Sequence, residues 1–138
     1  MAEEEQKKDV FKLYKAEKNW ELIEDAEFNG EGFDPEVISF LEEDEIEIDG
    51  KTLRSRAKKL NANLGRKHAE YLESHQYLIP DWCRWFDLIF PGTVVCVRNE
   101  GFGIPCLFWN GKQWSLRFEW LNTVWNSEDR LVRMYARR

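Results

Sequence analysis

Cysteine and histidine are scarce in this sequence, and their scarcity argues against a disulfide framework and a zinc site. Cys83, Cys96 and Cys106 are its three cysteines, an odd number that is too small for the disulfide framework of a small secreted domain. They contain no Cys-x-x-Cys pair, and only two histidines accompany them, so scattered elements would have to assemble a zinc site. We therefore predict no metal and no cofactor.

Long apolar runs are also missing. No stretch approaches the roughly 18 consecutive apolar residues that a membrane-spanning helix needs. The first residues, Met1 to Glu5, lack the basic start and apolar stretch of a signal peptide. We expect a cytoplasmic protein that has no contact with a membrane.

Catalytic motifs are absent as well. The sequence has no Gly-x-Ser-x-Gly, His-Glu-x-x-His, P-loop or Gly-x-Gly-x-x-Gly. His68 and His75 lie seven residues apart on one predicted helix face, where a general base would also need a nucleophile or acid within hydrogen-bond reach. His68 falls on the apolar stripe and is expected to be a core histidine, while His75 suits a helix C-terminus. A small enzyme that uses these two histidines is the least favoured of three functional readings, and we nominate no catalytic residue.

What the chain does contain is enough apolar material for one core. It has 138 residues, of which 43% are hydrophobic and 14% aromatic, which suits one domain better than two. We predict a disordered tail at 1–8 and a single α+β domain at 9–138. This domain consists of an acidic N-terminal part (9–50), a basic helix (51–76) and a β-meander (88–138).

Charge is unevenly distributed along the chain. Residues 1–50 carry 18 acidic side chains against five basic ones, whereas residues 51–76 carry seven basic against two acidic ones, within a net charge of −6. Blocks of like charge usually lie in solvent or face an opposite partner. The simplest interpretation is that these blocks are solvated faces of one domain. Two further arrangements are expected as alternatives: the acidic third lies over the basic helix, or each block faces something external.

The N-terminal half predicts short elements. Apolar alternation on either side of Glu17-Lys18-Asn19 favours an N-terminal hairpin over a helix, although the Lys, Glu and Ala content keeps the helix as a competitor. Asp34 as N-cap and Pro35 at the first helical position predict a short acidic helix through Leu41. Ile46 and Ile48 then suggest a short strand.

The clearest helical pattern covers 52–76, where apolar residues recur at intervals of three and four. It predicts one long basic amphipathic helix, in which Gly65 is a weak point that could bend or split it. Beyond Pro80, one short turn is expected through Trp82, Cys83 and Trp85.

From Leu88 the pattern is that of strands. Asn110-Gly111 predicts a two-residue type I′ hairpin, and Trp114 to Trp120 alternates as a strand with one buried face. A hairpin pivoting on Gly101 would place Cys96 opposite Cys106, either as apolar filler in a reduced core or as a redox-responsive pair. The helices are expected to pack on this antiparallel meander, which could curl into an SH3-like barrel.

The function predicted from these features is non-catalytic binding of another protein or of a second copy in a homodimer. Seven tryptophans exceed what a small core needs, so Trp82, Trp85 or Trp125 is expected to be partly exposed, and tryptophan anchors interfaces. The acidic stretch could also mimic nucleic acid and so inhibit a nucleic-acid-binding protein. The candidate protein-binding residues are Trp82, Trp85, Trp125, Glu42, Glu43, Asp44, Glu45 and Glu47.

The alternative function is nucleic-acid binding by the basic helix, since basic groups neutralise phosphates and exposed rings stack on bases. The net acidity of the chain opposes it. Its candidate residues are Lys51, Arg54, Arg56, Lys58, Lys59, Arg66 and Lys67.

Overall fold

The computed structural model describes residues 20–135, so the predicted tail at 1–8, the first strand of the N-terminal hairpin and the terminal arginines lie outside the described residues. The architecture is mixed α+β and dominated by sheet, as predicted. The helices are α1 (Gly50–Lys59) and α2 (Arg66–Ser74), with 3₁₀ helices at Gln76–Leu78 and Asp81–Trp85. The strands are β1 (Trp20–Glu24), β2 (Pro35–Ile38), β3 (Glu47–Asp49), β4 (Asp87–Ile89), β5 (Val94–Val97), β6 (Gly101–Trp109), β7 (Trp114–Trp120), β8 (Val124–Asn126) and β9 (Asp129–Met134).

Strand β6 organises the main sheet. β7 pairs with one edge of β6, while β5 and β4 pair with the two halves of its other edge. Beyond them, β1 continues from β5, and β9 followed by β2 continues from β4, with β9 parallel to β4. β3 and β8 form a separate two-stranded sheet. The described strands do not close into a barrel, so the SH3-like barrel is wrong.

Two helices cover opposite faces of this sheet. Leu53 and Ala57 of α1 pack with one set of strand residues, which includes Ile89, Cys106 and Leu131. The alternate residues of the same strands point the other way, because successive strand side chains alternate between faces. These residues, Leu88, Leu107 and Val132, form a second core with Ala69 and Leu72 of α2.

The predicted single helix over 51–76 is wrong, because the chain leaves the helix at Leu60. Asn61 adopts a left-handed conformation with φ of 57°, and the amides of Asn61 and Ala62 donate to the carbonyl oxygens of Lys58 and Ala57. This 5→2 and 6→1 pair of bonds is a Schellman motif, which ends a helix. Gly65 then becomes the N-cap of α2, so the weak point lies where the second helix starts.

The predicted short helix from Pro35 is also wrong. Residues 35–38 form β2, whose Val37 and Ile38 pair with Val132 and Leu131 of β9. Proline is tolerated at the first residue of an edge strand, and β-branched side chains fit a pleated sheet. Pairing with β9 therefore overrides a local helix-start signal.

Two hairpin details differ from the expectation. β5 and β6 pair so that Cys96 faces Phe102, because the turn is centred on Asn99 with φ of 65°. Cys106 instead faces Ile89 and Arg117, so the predicted cross-strand thiol pair is wrong. Trp109 pairs with Trp114 across a four-residue loop in which only Gly111 has positive φ, not the predicted type I′ turn.

The predicted antiparallel meander over 88–138 is wrong beyond β7, because β8 pairs with β3 in the second sheet and β9 runs parallel to β4. Several individual elements are confirmed. β1, β3, the short turn over Asp81–Trp85 and the C-terminal strands occur where the sequence places them. The exposed edge of β7 is covered by α2 and the segment after it: Glu73 and Gln76 accept hydrogen bonds from the amides of Leu116 and Trp114. Covering an edge in this way removes a template for unwanted strand pairing.

Candidate functional site

The segment 76–86, which we call the aromatic segment, presents large side chains to solvent. Two 3₁₀ helices that flank Pro80 build it. Trp85 is 84% exposed, Tyr77 81% and Trp82 53%. Because side chains three residues apart lie above one another on a 3₁₀ helix, Trp82 and Trp85 share one face.

Buried contacts hold this segment on the second core. Cys83 and Ile79 belong to the core that α2 covers, and burial raises the pKa of the Cys83 thiol to about 11. Trp82 meets Phe86 edge to face, with ring centroids 6.1 Å apart. The exposed rings therefore stand on an anchored base.

Two arginines stack on aromatic rings around the segment. The guanidinium carbon of Arg84 lies 3.9 Å from the centroid of Trp109, and that of Arg130 lies 4.0 Å from the centroid of Phe86. Arg84 also forms an ion pair with Asp81 at 3.3 Å. Stacked arginines and exposed tryptophans are the residue types that carry most binding energy in protein interfaces.

The structure separates the three tryptophans that the sequence nominated. Trp82 and Trp85 are exposed as predicted. Trp125 is only 3% exposed, and its indole N–H donates to the Leu121 carbonyl at 3.2 Å, so its predicted exposure is wrong. Tyr77 was missed, because nothing in the run Gln76 to Ile79 distinguishes an outward tyrosine from a core one.

The acidic stretch lies in the loop between β2 and β3. Glu42, Glu43, Asp44 and Glu47 are exposed. Glu45 instead turns towards α1, where both its oxygens accept from Arg56 and one also accepts from the Glu42 amide. These bonds, that of Arg56 first, lower the pKa of Glu45 to about 2. Glu45 is thus part of the loop's own framework.

The basic residues of 51–67 divide into two groups. Arg54 pairs with Glu24, Arg56 with Glu42 and Glu45, and Arg66 approaches Asp25 at 3.7 Å. The acidic third therefore lies partly over the basic helices, one of the two expected arrangements. Four side chains remain exposed, namely Lys51, Lys58, Lys59 and Lys67.

The two histidines are held by local contacts. His68 is 1% exposed, its Nδ1 accepts from the Gly65 amide at 3.1 Å, and burial lowers its pKa. His75 lies at the C-terminus of α2, stacked on Tyr71 with its Nδ1 2.8 Å from the Tyr71 carbonyl oxygen. His68 is a core histidine, as predicted from its place on the apolar stripe.

A buried polar network next to His68 fastens the chain after β1 to α2. The Thr93 hydroxyl donates to Asp25 at 2.6 Å and accepts from the Arg66 amide at 2.8 Å. Thr93 is fully buried, which leaves its hydroxyl no access to a substrate. The Thr93 hydroxyl thus gives the Arg66 amide, at the start of α2, the hydrogen-bond acceptor that the helix itself does not supply.

One charged cluster was not foreseen from the sequence. Asp87 of β4, Asp129 of β9 and Arg117 and Glu119 of β7 lie on the α1 face of the main sheet, beyond the apolar core of that face. Arg117 contacts Asp87 at 3.3 Å and Glu119 at 2.7 Å. The alternation in β7 had placed Arg117 and Glu119 on a solvent face, whereas both side chains are largely buried.

Comparisons with known proteins provide no functional assignment. No protein-family model, no curated protein and no solved structure matches this chain. Within residues 20–135, no three His, Cys, Asp or Glu side chains lie where they could hold a metal ion. In the same part of the chain, no helix is both long and apolar enough to cross a membrane. The function has to be argued from the surfaces themselves.

Proposed function

We propose that this protein is a non-catalytic binding module that recognises another protein through the aromatic segment. The exposure of Trp85, Trp82 and Tyr77 within eleven residues carries the proposal. Leaving large rings in water forfeits roughly 1.5–3 kcal/mol per apolar side chain that burial would supply. A partner that covers them recovers this energy.

The surroundings of the segment support a protein partner. Cys83 and Ile79 anchor its backbone in the second core, so a partner that docks does not have to order the segment. Arg84 is already stacked on Trp109 and paired with Asp81. Rigid aromatic rings beside an ordered arginine form the type of cluster in which interface energy concentrates.

The charge distribution favours a protein over a nucleic acid. Three of the seven basic residues in 51–67 are engaged by carboxylates of the same chain, and the net charge of −6 opposes a polyanion. The exposed carboxylates Glu42, Glu43, Asp44 and Glu47 would instead steer a basic partner and raise its association rate.

The test uses the full chain as bait in a nuclease-treated lysate and a paired variant, Trp82→Ala with Trp85→Ala. We expect the variant to lose its stoichiometric protein partner, with affinity for the purified partner reduced by about 2 kcal/mol or more. Tyr135→Ala is the matched control, because Tyr135 is an exposed aromatic residue outside the segment, and it should bind as the wild type does.

A second measurement decides whether the partner is another copy. Sedimentation equilibrium over a range of concentrations should show a dimer that the paired variant loses, if the rings pack on themselves. Equal binding by the paired variant and by Tyr135→Ala would contradict the proposal. Recovery of nucleic acid alone, lost on nuclease treatment, would contradict it as well.

A further inference from the structure

The charged cluster on the α1 face places like charges at neighbouring positions of the sheet. Asp87 of β4 and Asp129 of β9 are paired residues of the parallel ladder, and carboxylates directly opposite each other on a sheet repel. Glu119 of β7 lies on the same face, and one guanidinium, that of Arg117, contacts both Asp87 and Glu119. Two of the three carboxylates, Asp87 and Glu119, thus contact the guanidinium of Arg117, whereas Asp129 faces Asp87 across the ladder.

Asp129 is where this excess of negative charge is most costly. Its side chain is mostly buried, and one oxygen accepts from the Asn126 amide at 3.1 Å. Burial first, and then the charges of Asp87, Glu119 and Glu128, raise its pKa to about 6. Cys106 of β6, on the same face and paired with Arg117, is fully buried and uncharged, since burial raises the pKa of that thiol well above its usual range.

The cluster adjoins the aromatic segment. The Asp87 amide donates to the Glu128 carbonyl at 3.0 Å, which joins the end of the aromatic segment to the turn before β9. Arg130, next to Asp129, stacks on Phe86, which in turn meets Trp82. A change in the repulsion between Asp87 and Asp129 therefore acts on the base of the aromatic segment.

We infer that Asp129, Asp87, Glu119 and Arg117 form a proton-operated clasp. On mild acidification Asp129 takes up one proton, which relieves the repulsion across the β4–β9 pair. The junction that carries the aromatic segment then becomes tighter. At neutral pH the junction is strained by two opposed carboxylates. Near pH 5 a neutral acid faces one carboxylate. The clasp does not require the proposed protein partner.

The test compares the wild type with Asp129→Asn by denaturant unfolding at pH 7 and pH 5. Asparagine keeps an oxygen for the Asn126 amide but does not titrate. Between these pH values the folding equilibrium constant of the wild type should rise on the order of tenfold relative to that of the variant, because the raised pKa of Asp129 lets the native state bind a proton that the unfolded state releases. Taking this ratio cancels the buried His68, which titrates in both proteins.

Glu43→Gln is the matched control, since Glu43 is an exposed carboxylate in the loop between β2 and β3 and is not among the charges that raise the pKa of Asp129. This control also removes one negative charge, and its folding equilibrium constant should change between pH 7 and pH 5 by the same factor as that of the wild type. If the ratio of the wild-type folding equilibrium constant to that of Asp129→Asn is the same at pH 7 and pH 5, the clasp is overturned.

Two readouts on the wild type alone keep the inference testable if a variant fails to fold. The carboxyl carbon of Asp129 should titrate near pH 6 by NMR, and the Asp87 amide, corrected for its intrinsic rate, should be several-fold better protected from exchange at pH 5 than at pH 7. An Asp129 titration at the ordinary aspartate value near 3.9 would refute the inference.

Discussion

Exposure divides residues of one type between different roles. Trp114 is almost fully buried in the core under α2, with its amide and carbonyl bonded to Gln76, whereas Trp85 stands in water. Alternation identified Trp114 as a core residue from the sequence. The neighbourhood of Pro80 placed Trp82 and Trp85 in a short turn, but their exposure was expected only from the number of tryptophans, an argument that did not separate them from the buried Trp125.

Truncating Trp114 and truncating Trp85 should therefore change the free energy of unfolding by very different amounts. Trp114→Ala should cost about 3–5 kcal/mol of unfolding free energy through lost burial and the cavity left behind. Trp85→Ala should change it by less than about 0.5 kcal/mol. Urea unfolding followed by circular dichroism measures both, and a loss below about 1 kcal/mol for Trp114→Ala would show that its face is not a core.

Elements in this fold begin and end for reasons that are only partly local. The apolar period of 52–76 is real, since Leu53, Ala57, Ala69 and Leu72 are all buried. However, α1 and α2 serve opposite faces of the sheet, which one continuous helix could not do. The break at 60–65 also receives Gly92, whose amide donates to the Leu64 carbonyl at 2.7 Å.

Asn61 is the residue whose chemistry permits this break. Asn61→Ala should destabilise the protein by about 1–2 kcal/mol, because an alanine in the left-handed conformation places its Cβ too close to the following carbonyl oxygen. Asn61→Gly should be neutral or stabilising, since glycine adopts positive φ at no steric cost. Thermal unfolding of both variants measures the difference, and equal melting temperatures would mean that the Schellman motif does not set the end of α1.

At the scale of the whole molecule, the titrations of His68 and Asp129 change the free energy of unfolding in opposite directions as the pH falls. Burial lowers the pKa of His68, so its contribution is fully present above its unfolded value of about 6.5 and declines as the pH falls below it. The raised pKa of Asp129 works in the other direction. At lower pH, the depressed pKa values of Glu45 and Asp49 mean that stability present above their unfolded values is lost as the pH falls towards 2.

Replacing His68 should reveal how much it contributes to the pH dependence of the unfolding free energy. His68→Asn keeps an acceptor for the Gly65 amide but cannot take up a proton. Between pH 7 and pH 5 the wild type should lose stability relative to this variant, with a slope no steeper than the one-proton limit of about 1.4 kcal/mol per pH unit. Chemical unfolding at several pH values measures the slope, and parallel curves for the two proteins would show that His68 is protonated equally well in the folded state.

The sequence by itself determined the α+β composition, most of the strands and the core role of His68 and Trp114. These follow from periodicity and turn chemistry, which act over a few residues. Only the tertiary structure decided that residues 35–38 form a strand, that Cys96 and Cys106 lie apart, that Trp125 is buried and that Asp87, Arg117, Glu119 and Asp129 meet. Each of those depends on which distant strand becomes a neighbour and in which register, and no local free energy encodes that choice.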